Sequence, residues 1–334
     1  NIKGSVYGGG AYSIVGGNEV KIDRTPIEDE NSNQTVTDPK IVSAANTATA
    51  KVVILGGTID KNVFGGGYGP KATIAGSTYV FIGISVDTNY PTPDTPGLNQ
   101  TKITIKGSIS GGGEMGSVGF VDLESLDNGN SYHFSGGYEA KLKGINVSSN
   151  VEITGDSKNS IIVGTNTSKS RETLAVLKGT GNVYGGGKGG DLEVTTATDG
   201  KITLKGYAIV HGSSKVTITG HQGNSIEIMG DVFGAGEGID AVKTAGNVDA
   251  ILYAAVTKSS SINVNDITIY NNVYGGGELS IVGWYYDETT TDGKILRHFT
   301  GKPSEVIVND SVIKGSVYGG GTGTPANALS GAVG

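Results

Sequence analysis

The stretch Val183-Tyr184-Gly185-Gly186-Gly187 decides the fold, because close copies of it recur along the whole chain. The other six copies are Val6-Tyr7-Gly8-Gly9-Gly10, Val63-Phe64-Gly65-Gly66-Gly67, Ile109-Ser110-Gly111-Gly112-Gly113, Val232-Phe233-Gly234-Ala235-Gly236, Val273-Tyr274-Gly275-Gly276-Gly277 and Val317-Tyr318-Gly319-Gly320-Gly321. Seven copies at uneven intervals predict a repeat architecture in which this motif marks a structural corner.

Short alternating runs flank each corner. Val52-Val53-Ile54, Val216-Thr217-Ile218 and Val306-Ile307-Val308 are examples upstream of it, and Ile226-Glu227-Ile228 is one of the runs that come between. Alternation of β-branched with polar residues predicts half-buried strands. Strands this short are not stable alone, so we expect them to stack on the equivalent strands of neighbouring copies. The sequence therefore predicts an all-β fold, a right-handed parallel β-helix (β-solenoid) with glycine-rich corners and loop insertions.

The glycines of the motif are expected to serve two purposes. A corner needs positive φ, and the next coil lies only about 4.8 Å away, so a Cβ would be strained or would clash. The aromatic residue before them is expected to stack on its counterpart in the next coil or to enter the interior, with Ser110 as a break. A coil of about 20–25 residues gives about 15 coils and a rod about 70 Å long at that spacing.

Composition narrows the function. Glycine is abundant, with 57 residues against 8 prolines, but it is clustered between Val- and Ile-rich runs, so residues 1–334 are interpreted as one folded domain of seven irregular repeats. The formal net charge of −7 offers no basic surface for nucleic acid. No apolar run is long enough to span a bilayer, and cysteine is absent. The first residues lack an initiator Met and a signal peptide, which predicts a mature or excised segment of a longer array.

Several catalytic and ligand-binding patterns are incomplete. A polysaccharide lyase or glycosidase on a β-helix needs carboxylates across a groove, and the sequence offers no paired acids and only His221 between glycines. A calcium-binding nonapeptide begins at Gly186 but loses its register after Asp191. The run Gly187-Lys188 lacks the rest of a phosphate loop. We therefore expect no catalytic residues, no metal and no cofactor.

One cluster favours binding. Trp284, Tyr285 and Tyr286 open a long insertion, and adjacent aromatic side chains can stack on sugar rings. The alternative is that they form a plug over the coil beneath. Insertions of a solenoid often lie on one face, which is commonly the binding face. A carbohydrate-binding module centred on these three residues is therefore a second alternative to a structural or adhesive role, beside the polysaccharide lyase or glycosidase.

The Val-Tyr-Gly-Gly-Gly signature, with continuations such as Gly277-Glu278-Leu279-Ser280, resembles the repeat regions of large exported surface proteins of gut Bacteroidetes. The resemblance covers nearly the whole chain. It implies export, display at the bacterial cell surface and an adhesin-like or structural role. For such a role we expect a glycan or a host surface as ligand. It supplies no catalytic residues.

The first and last copies share an identical nonapeptide, Ile2 to Gly10 and Ile313 to Gly321. An uncapped solenoid end is an unpaired sheet edge, so matching ends predict either a longer array or end-to-end stacking of copies into a fibre. The sequence as a whole predicts a non-enzymatic, extracellular structural or adhesive repeat protein.

Overall fold

A computed structural model gives the architecture. It describes residues 1–13, 15, 49–69, 72–74, 76–83, 101–119, 147–156, 159–165, 180–190, 208–221, 226–239, 255, 257–283, 304–323 and 331–333, together with short antiparallel strands elsewhere. Within these residues every regular element is a strand. The described part of the chain is therefore all-β, as the sequence predicts.

Three parallel sheets contain the repeats, and we name them by their strands. The glycine sheet has seven strands, each ending just before a glycine triplet: Val6–Tyr7, Val63–Phe64, Ile109–Ser110, Val183–Tyr184, Val232–Phe233, Val273–Tyr274 and Val317–Tyr318. The short sheet contains Gly57–Ile59, Thr101–Ile105, Asn159–Val163, Ile226–Ile228, Thr268–Ile269 and Val312–Ile313. The long sheet contains Thr49–Ile54, Ser77–Gly83, Ser148–Thr154, Val210–Thr219, Thr257–Asn265 and Glu305–Asn309.

Within each sheet the strands follow one another in chain order, and equivalent residues pair. Val183, for example, lies between Ile109 and Val232, two residues that occupy the same position in their own copies of the motif. One strand spacing thus separates whole repeats. The expected coil of about 20–25 residues, and with it the count of about 15 coils, is wrong because that length covers only half of one repeat.

The core consists of Val and Ile columns that run through the stacked repeats. In the strand Ser148–Thr154, for example, exposure alternates residue by residue, and Val151 and Ile153 are buried. Every member of the buried core cluster is Val or Ile. Stiff β-branched side chains fill a pleated surface well, and each one lies on its counterpart above and below. Burial of apolar surface between repeats is therefore the main source of stability for strands too short to fold alone.

The triple glycines do not adopt the expected positive φ. None of them is among the residues in the left-handed region, so this prediction is wrong. The bend comes two residues later, where Tyr12, Gly69, Met115 and Leu279 have φ between 53° and 100°. The other expected reason for glycine holds: a Cβ on Gly65, Gly185 or Gly234 would lie closer than 3.0 Å to a backbone oxygen of the next repeat. Close packing of backbones, and not chain reversal, requires glycine at these positions.

Among the described strands, four antiparallel pairs lie outside the three stacked sheets. They are Lys21–Asp23 with Lys40–Ser43, Ile27–Glu28 with Thr35–Val36, Leu192–Val194 with Ile202–Leu204, and Trp284–Thr289 with Ile295–Thr300. All four occur in the chain between a glycine triplet and the next strand of the long sheet. They belong to insertions between repeats, not to the repeats themselves.

Candidate functional site

The aromatic residues of the motif form a stacked column on the outer side of the glycine sheet. Successive residues of a strand face opposite sides, so the fully buried Val183 faces the core and Tyr184 faces outwards. The rings of Tyr184 and Phe233 lie 5.1 Å apart and nearly parallel, and the stack continues to Tyr274 and Tyr318 at 4.9 Å per step. Tyr7 stacks on Phe64 in the same way. The expected stacking is confirmed.

Ser110 interrupts this aromatic column between Phe64 and Tyr184, as expected, and is itself buried. Exposure differs along the column. Tyr184 and Phe233 are only 2% and 1% exposed, whereas Tyr318 at the end is 46% exposed. The interior of the column is therefore covered, and its last ring is open to solvent.

A second column is formed by the residue that follows each glycine triplet. Glu114, Lys188, Glu237, Glu278 and Thr322 pair in register through single β-bridges, and we call them the charged column. The Tyr7 hydroxyl donates a hydrogen bond of 2.5 Å to Glu114, and the Tyr184 hydroxyl donates to Glu278. In both cases the acceptor belongs to the second repeat along from the tyrosine. Each such hydrogen bond therefore spans three consecutive repeats.

Two of the seven repeats carry phenylalanine at the aromatic position, and neither has an acid two repeats ahead. The residue of the charged column two repeats beyond Phe64 is Lys188, and two repeats beyond Phe233 it is Thr322. An ammonium group cannot accept a hydrogen bond, and a threonine hydroxyl is a neutral acceptor in place of a carboxylate. Tyr7 and Tyr184, in contrast, each have a glutamate two repeats ahead.

Burial governs the acid–base properties of these columns. It raises the pKa of the Tyr184 hydroxyl, and the negative charges of Glu237 and Glu278 reinforce that shift. Burial also raises the pKa of the Glu237 carboxyl, and the Lys188 ammonium, 3.5 Å away, partly offsets this rise. Burial is also the main reason why the pKa of Tyr7 is raised and why the pKa of Tyr274 is raised to about 12. The phenols therefore stay protonated at neutral pH, where Tyr7 and Tyr184 act as donors.

Asn, Asp and Ser form a third column at the position before the apolar residue of the motif. The side-chain oxygen of Asn182 accepts the backbone N–H of Asp231 at 2.9 Å, and Asp231 accepts the N–H of Asn272 at 2.8 Å. Asn62 and Ser108 repeat the contact at 2.9 Å. Burial raises the pKa of Asp231, while the two N–H donors of Asn272 oppose that shift. We call this set the amide column, and its side chains connect neighbouring repeats.

Serines of the long sheet hold the glycine corners. The hydroxyl of Ser214 donates to the carbonyl oxygen of Gly234 at 2.5 Å, and Ser260 donates to Gly275 at 2.6 Å. In each pair the acceptor is the first glycine of the triplet in the same repeat. These hydroxyls therefore give the backbone oxygens at the corner a hydrogen-bond partner inside the structure.

A row of charges marks the end of the short sheet near the N-terminus. The Asp60 carboxylate lies 2.9 Å from the Lys3 ammonium and 2.6 Å from the Lys106 ammonium. Hydrogen bonds from Lys106 and then Lys3 lower the pKa of Asp60 to about 2. The three residues come from three successive repeats, so opposite charges alternate along the stack at this position.

A fully buried histidine lies in the long sheet. His211 belongs to the strand Val210–Thr219 and is 4% exposed. Burial lowers the pKa of its imidazole to about 4. His221, which the sequence singles out between glycines, is exposed at the end of the same strand.

Five insertions lie in the same part of the repeat, between a glycine triplet and the next strand of the long sheet. Of the six chain passages from a glycine triplet to the next long strand, only residues 68–76 run directly, whereas the other five contain insertions. These five passages are residues 11–48, 114–147, 188–209, 237–256 and 278–304. Val15, Ile74, Val118, Val210, Thr257 and Val282 pair with one another across the repeats in one line. The extra chain follows this line in three repeats and precedes it in two, and we call the line with its flanking insertions the insertion edge. Residues 84–100 and 166–179 enter between other strands.

The insertion edge includes the cluster predicted to bind sugars. Trp284, Tyr285 and Tyr286 lie in the strand that pairs with Ile295–Thr300, Trp284 opposite Thr300, and their side chains lie outside the described residues. Asp191, of the incomplete calcium pattern, also lies outside them. In the described part of the chain no three His, Cys, Asp or Glu side chains come together in a way that could hold a metal ion.

Sequence reasoning located the glycines and the aromatic column but missed the charged and amide columns. The signal for both was present, because Glu or Lys follows four of the seven triplets, and Asn, Asp or Ser precedes every copy of the motif by one residue. Aligning the seven copies position by position would have revealed these columns.

The chain matches no protein-family model, no curated protein and no solved structure. No helix of the described part is long and apolar enough to cross a lipid bilayer.

Proposed function

We propose that this chain is a non-enzymatic structural module, a right-handed β-solenoid that displays a line of insertions at the surface of a bacterial cell. The observation that supports this most strongly is the insertion edge, where five of six passages between repeats carry extra chain. Insertions that share one side of a stack of repeats form a continuous surface, which is a common binding arrangement in repeat proteins.

The winding follows from the order of the strands. Each of the last six repeats runs from the long sheet to the short sheet and then to the glycine sheet, and the strands within each sheet are parallel. A chain that returns to the same sheet in the same direction has to wind around the core, and such crossovers are right-handed in nearly all proteins. Six steps of about 4.8 Å give a stack about 30 Å long.

The polar columns favour a structural role over a catalytic one. Glu114 and Glu278 accept hydrogen bonds from tyrosines, Glu237 pairs with Lys188, and Asp231 accepts two bonds from Asn272. A glycosidase or lyase needs carboxylates that face substrate across a groove. The acids of these columns instead contact neighbouring repeats, where they stiffen the stack.

The experiment removes one insertion and keeps the stack. Residues 283–303 are replaced by Ala-Gly-Ser, copied from the direct passage between Ile74 and Thr78. If the insertion is displayed on the surface, the variant should fold. Its free energy of unfolding should change by no more than about 1 kcal/mol, because changing the length of a surface loop costs little. An unfolded variant would contradict the proposal, because the insertion would then belong to the core. Turnover of any substrate in a panel of acidic and neutral polysaccharides by the native protein would favour the enzyme instead.

A carbohydrate-binding role is the second candidate, and the position of the Trp284–Thr289 strand in the insertion edge favours it. The same replacement variant tests it, because it lacks Trp284, Tyr285 and Tyr286 while the repeats remain. Glycan binding by the native protein that is lost in the variant would support this role.

A further inference from the structure

Lys188 and Glu237 occupy matching positions in two neighbouring repeats. Each follows a copy of the glycine triplet, and the two residues form a parallel β-bridge. The backbone fixes this register, because the N–H of Glu237 donates to the Gly187 oxygen and the N–H of Gly189 donates to the Glu237 oxygen, both at 2.8 Å. The two side chains therefore begin side by side, and the Lys188 Nζ lies 3.5 Å from a carboxylate oxygen of Glu237.

The charges around Glu237 differ on its two sides. The order of acids and base in the charged column is Glu114, Lys188, Glu237 and Glu278. Glu237 thus has an ammonium group in the repeat before it and a second carboxylate in the repeat after it. Burial raises the pKa of the Glu237 carboxyl, the Lys188 ammonium opposes this rise, and the neighbouring acids of the column add to it. Glu237 is therefore a better proton acceptor than an exposed glutamate.

The pair meets the conditions for a reaction between its two side chains. A neutral lysine amine is a nucleophile, and a neutral carboxylic acid can lose its hydroxyl group, whereas a carboxylate cannot. Groups that a fold holds next to each other react as if they were present at very high concentration. The side chains of Lys188 and Glu237 are 35% and 29% exposed, so bulk water reaches the pair only in part.

We propose that Lys188 and Glu237 form an isopeptide bond, a covalent cross-link from the Lys188 Nζ to the Cδ of Glu237. The ammonium first passes a proton to the carboxylate 3.5 Å away, which leaves a neutral amine beside a neutral acid. The Nζ–Cδ bond then forms and the Cδ–OH bond breaks. The hydroxyl takes a proton from the amine and leaves as one molecule of water, so the step needs no oxidant, reductant or further reactant.

A second ion pair in the chain shows that a short distance is not sufficient. The Lys106 Nζ lies 2.6 Å from the Asp60 carboxylate, closer than the groups of the proposed cross-link. Asp60, however, has a lysine on each side, and hydrogen bonds from Lys106 and then Lys3 lower its pKa to about 2. Asp60 therefore stays ionised and keeps both oxygens. This pair is an internal control for the chemistry.

The cross-link joins the fourth and fifth repeats in the middle of the stack. It closes the chain between its two ends, and such a closure reduces the number of conformations open to the unfolded chain, as a disulfide does. The sequence contains no cysteine, so a disulfide cannot supply this connection. An isopeptide bond at this position stabilises the register of the repeats against separation.

Mass spectrometry of the intact, denatured chain tests the proposal, on samples taken at purification and after several days at neutral pH. The native chain is expected to weigh less than its sequence by the mass of one water molecule, and digestion should release a branched peptide that contains Lys188 and Glu237. Lys188→Arg keeps the positive charge but replaces the amine by a guanidinium that stays protonated, so this variant should have its full mass. Lys106→Arg is the matched control and should retain the loss of water.

Two results would overturn the proposal. One is a native chain with the full mass of its sequence at every time point. The other is a loss of water that persists in Lys188→Arg, because it would then arise elsewhere, for example by ring closure at Asp199-Gly200. The replacement of residues 283–303 leaves Lys188 and Glu237 in place, so the test of display and the test of the cross-link fail independently of each other.

Discussion

The first glycine of each triplet is the position where the packing of repeats can be perturbed most sharply. Gly185→Ala adds a methyl group that would lie closer than 3.0 Å to the carbonyl oxygen of Gly234 and 3.1 Å from the Cβ of Ser214. The matched control is Gly319→Ala, which changes the first glycine of the last triplet, where nothing lies within 4 Å of the new Cβ. Both glycine carbonyls accept a hydrogen bond from a serine hydroxyl, that of Gly185 from Ser149 and that of Gly319 from Ser304. The neighbouring repeat is therefore the main difference between the two positions.

The magnitude follows from what has to move. To clear the new methyl group, the Gly234 carbonyl has to shift, which strains its hydrogen bond from Ser214 (2.5 Å) and the ladder bond from Gly185 N–H to Phe233 (3.0 Å). Overpacking a tight interior costs about 1–3 kcal/mol, and loss of a hydrogen bond adds about 1 kcal/mol. We expect Gly185→Ala to lose about 3 kcal/mol of unfolding free energy. Gly319→Ala should stay within about 0.5 kcal/mol of the native value.

Urea unfolding followed by far-ultraviolet circular dichroism measures the difference. The native protein, Gly185→Ala and Gly319→Ala are compared by their midpoints and slopes, since a change in slope would reveal that the repeats no longer unfold together. Gly186→Ala is expected to fall between them, because Ala235 already occupies the middle position of one triplet. Equal midpoints for Gly185→Ala and Gly319→Ala would refute the explanation that the backbones of successive repeats require glycine.

Three further outcomes are expected. Asn182→Ala removes the acceptor for the N–H of Asp231 and should lower the free energy of unfolding, measured in urea, by about 1–3 kcal/mol. Asn182→Ser should lower it less, because serine occupies this position in other repeats. Equal losses for the two variants would argue against the amide column. Burial lowers the pKa of His211 from 6.5 to about 4 in the folded protein. As the pH falls from 6.5 to about 4, the imidazole is therefore protonated in the unfolded chain but not in the folded one. The free energy of unfolding should fall by up to about 3 kcal/mol over this interval. His211→Gln should remove this part of the pH dependence, measured by thermal unfolding, and His221→Gln should retain it; a slope that His211→Gln leaves unchanged would contradict burial as its source. Trp284→Ala should weaken binding on a glycan array if the insertion edge binds sugars, and equal signals from both proteins would remove that hypothesis.

The features of the fold that depend on residues close together in one repeat were predictable from the sequence. Alternation in runs such as Val216-Thr217-Ile218 indicated strands with one buried face, and recurrence of the triplet indicated stacking. The length of a coil was not predictable in this way, because it depends on which copies pair. Sequence alone did not show that Val183 would pair with residues one whole repeat away on either side.

The glycine prediction was half right for a physical reason. Glycine tolerates both positive φ and close backbone approach, and sequence does not distinguish the two uses. The structure assigns the bends to residues such as Tyr12 and Leu279, which pay a conformational cost that glycine would avoid. Steric contact between repeats is a property of the stack, so only the assembled structure reveals it.

The candidate site was predictable only in part. Residues whose partner is the same position in the next repeat, such as Asn182 and Asp231, are visible once the copies are aligned. The bond from Tyr184 to Glu278 connects residues in different columns and two repeats apart, so it requires the axial offset that the structure provides. The binding cluster at Trp284 stays a prediction.

The central claim is that successive repeats lie one strand spacing apart. It is tested most directly by measuring the distance between two residues along the stack. Lys51 and Glu305 are exposed, and they occupy the same register position at the two ends of the long sheet, five strand steps apart. The chain contains no cysteine, so cysteines introduced at these two positions can carry spin labels without interference. Pulsed electron paramagnetic resonance should give a narrow distance distribution centred at about 24 Å, widened by the label linkers. A separation of about 50 Å, as two coils per repeat would give, or a broad distribution would contradict the fold described above.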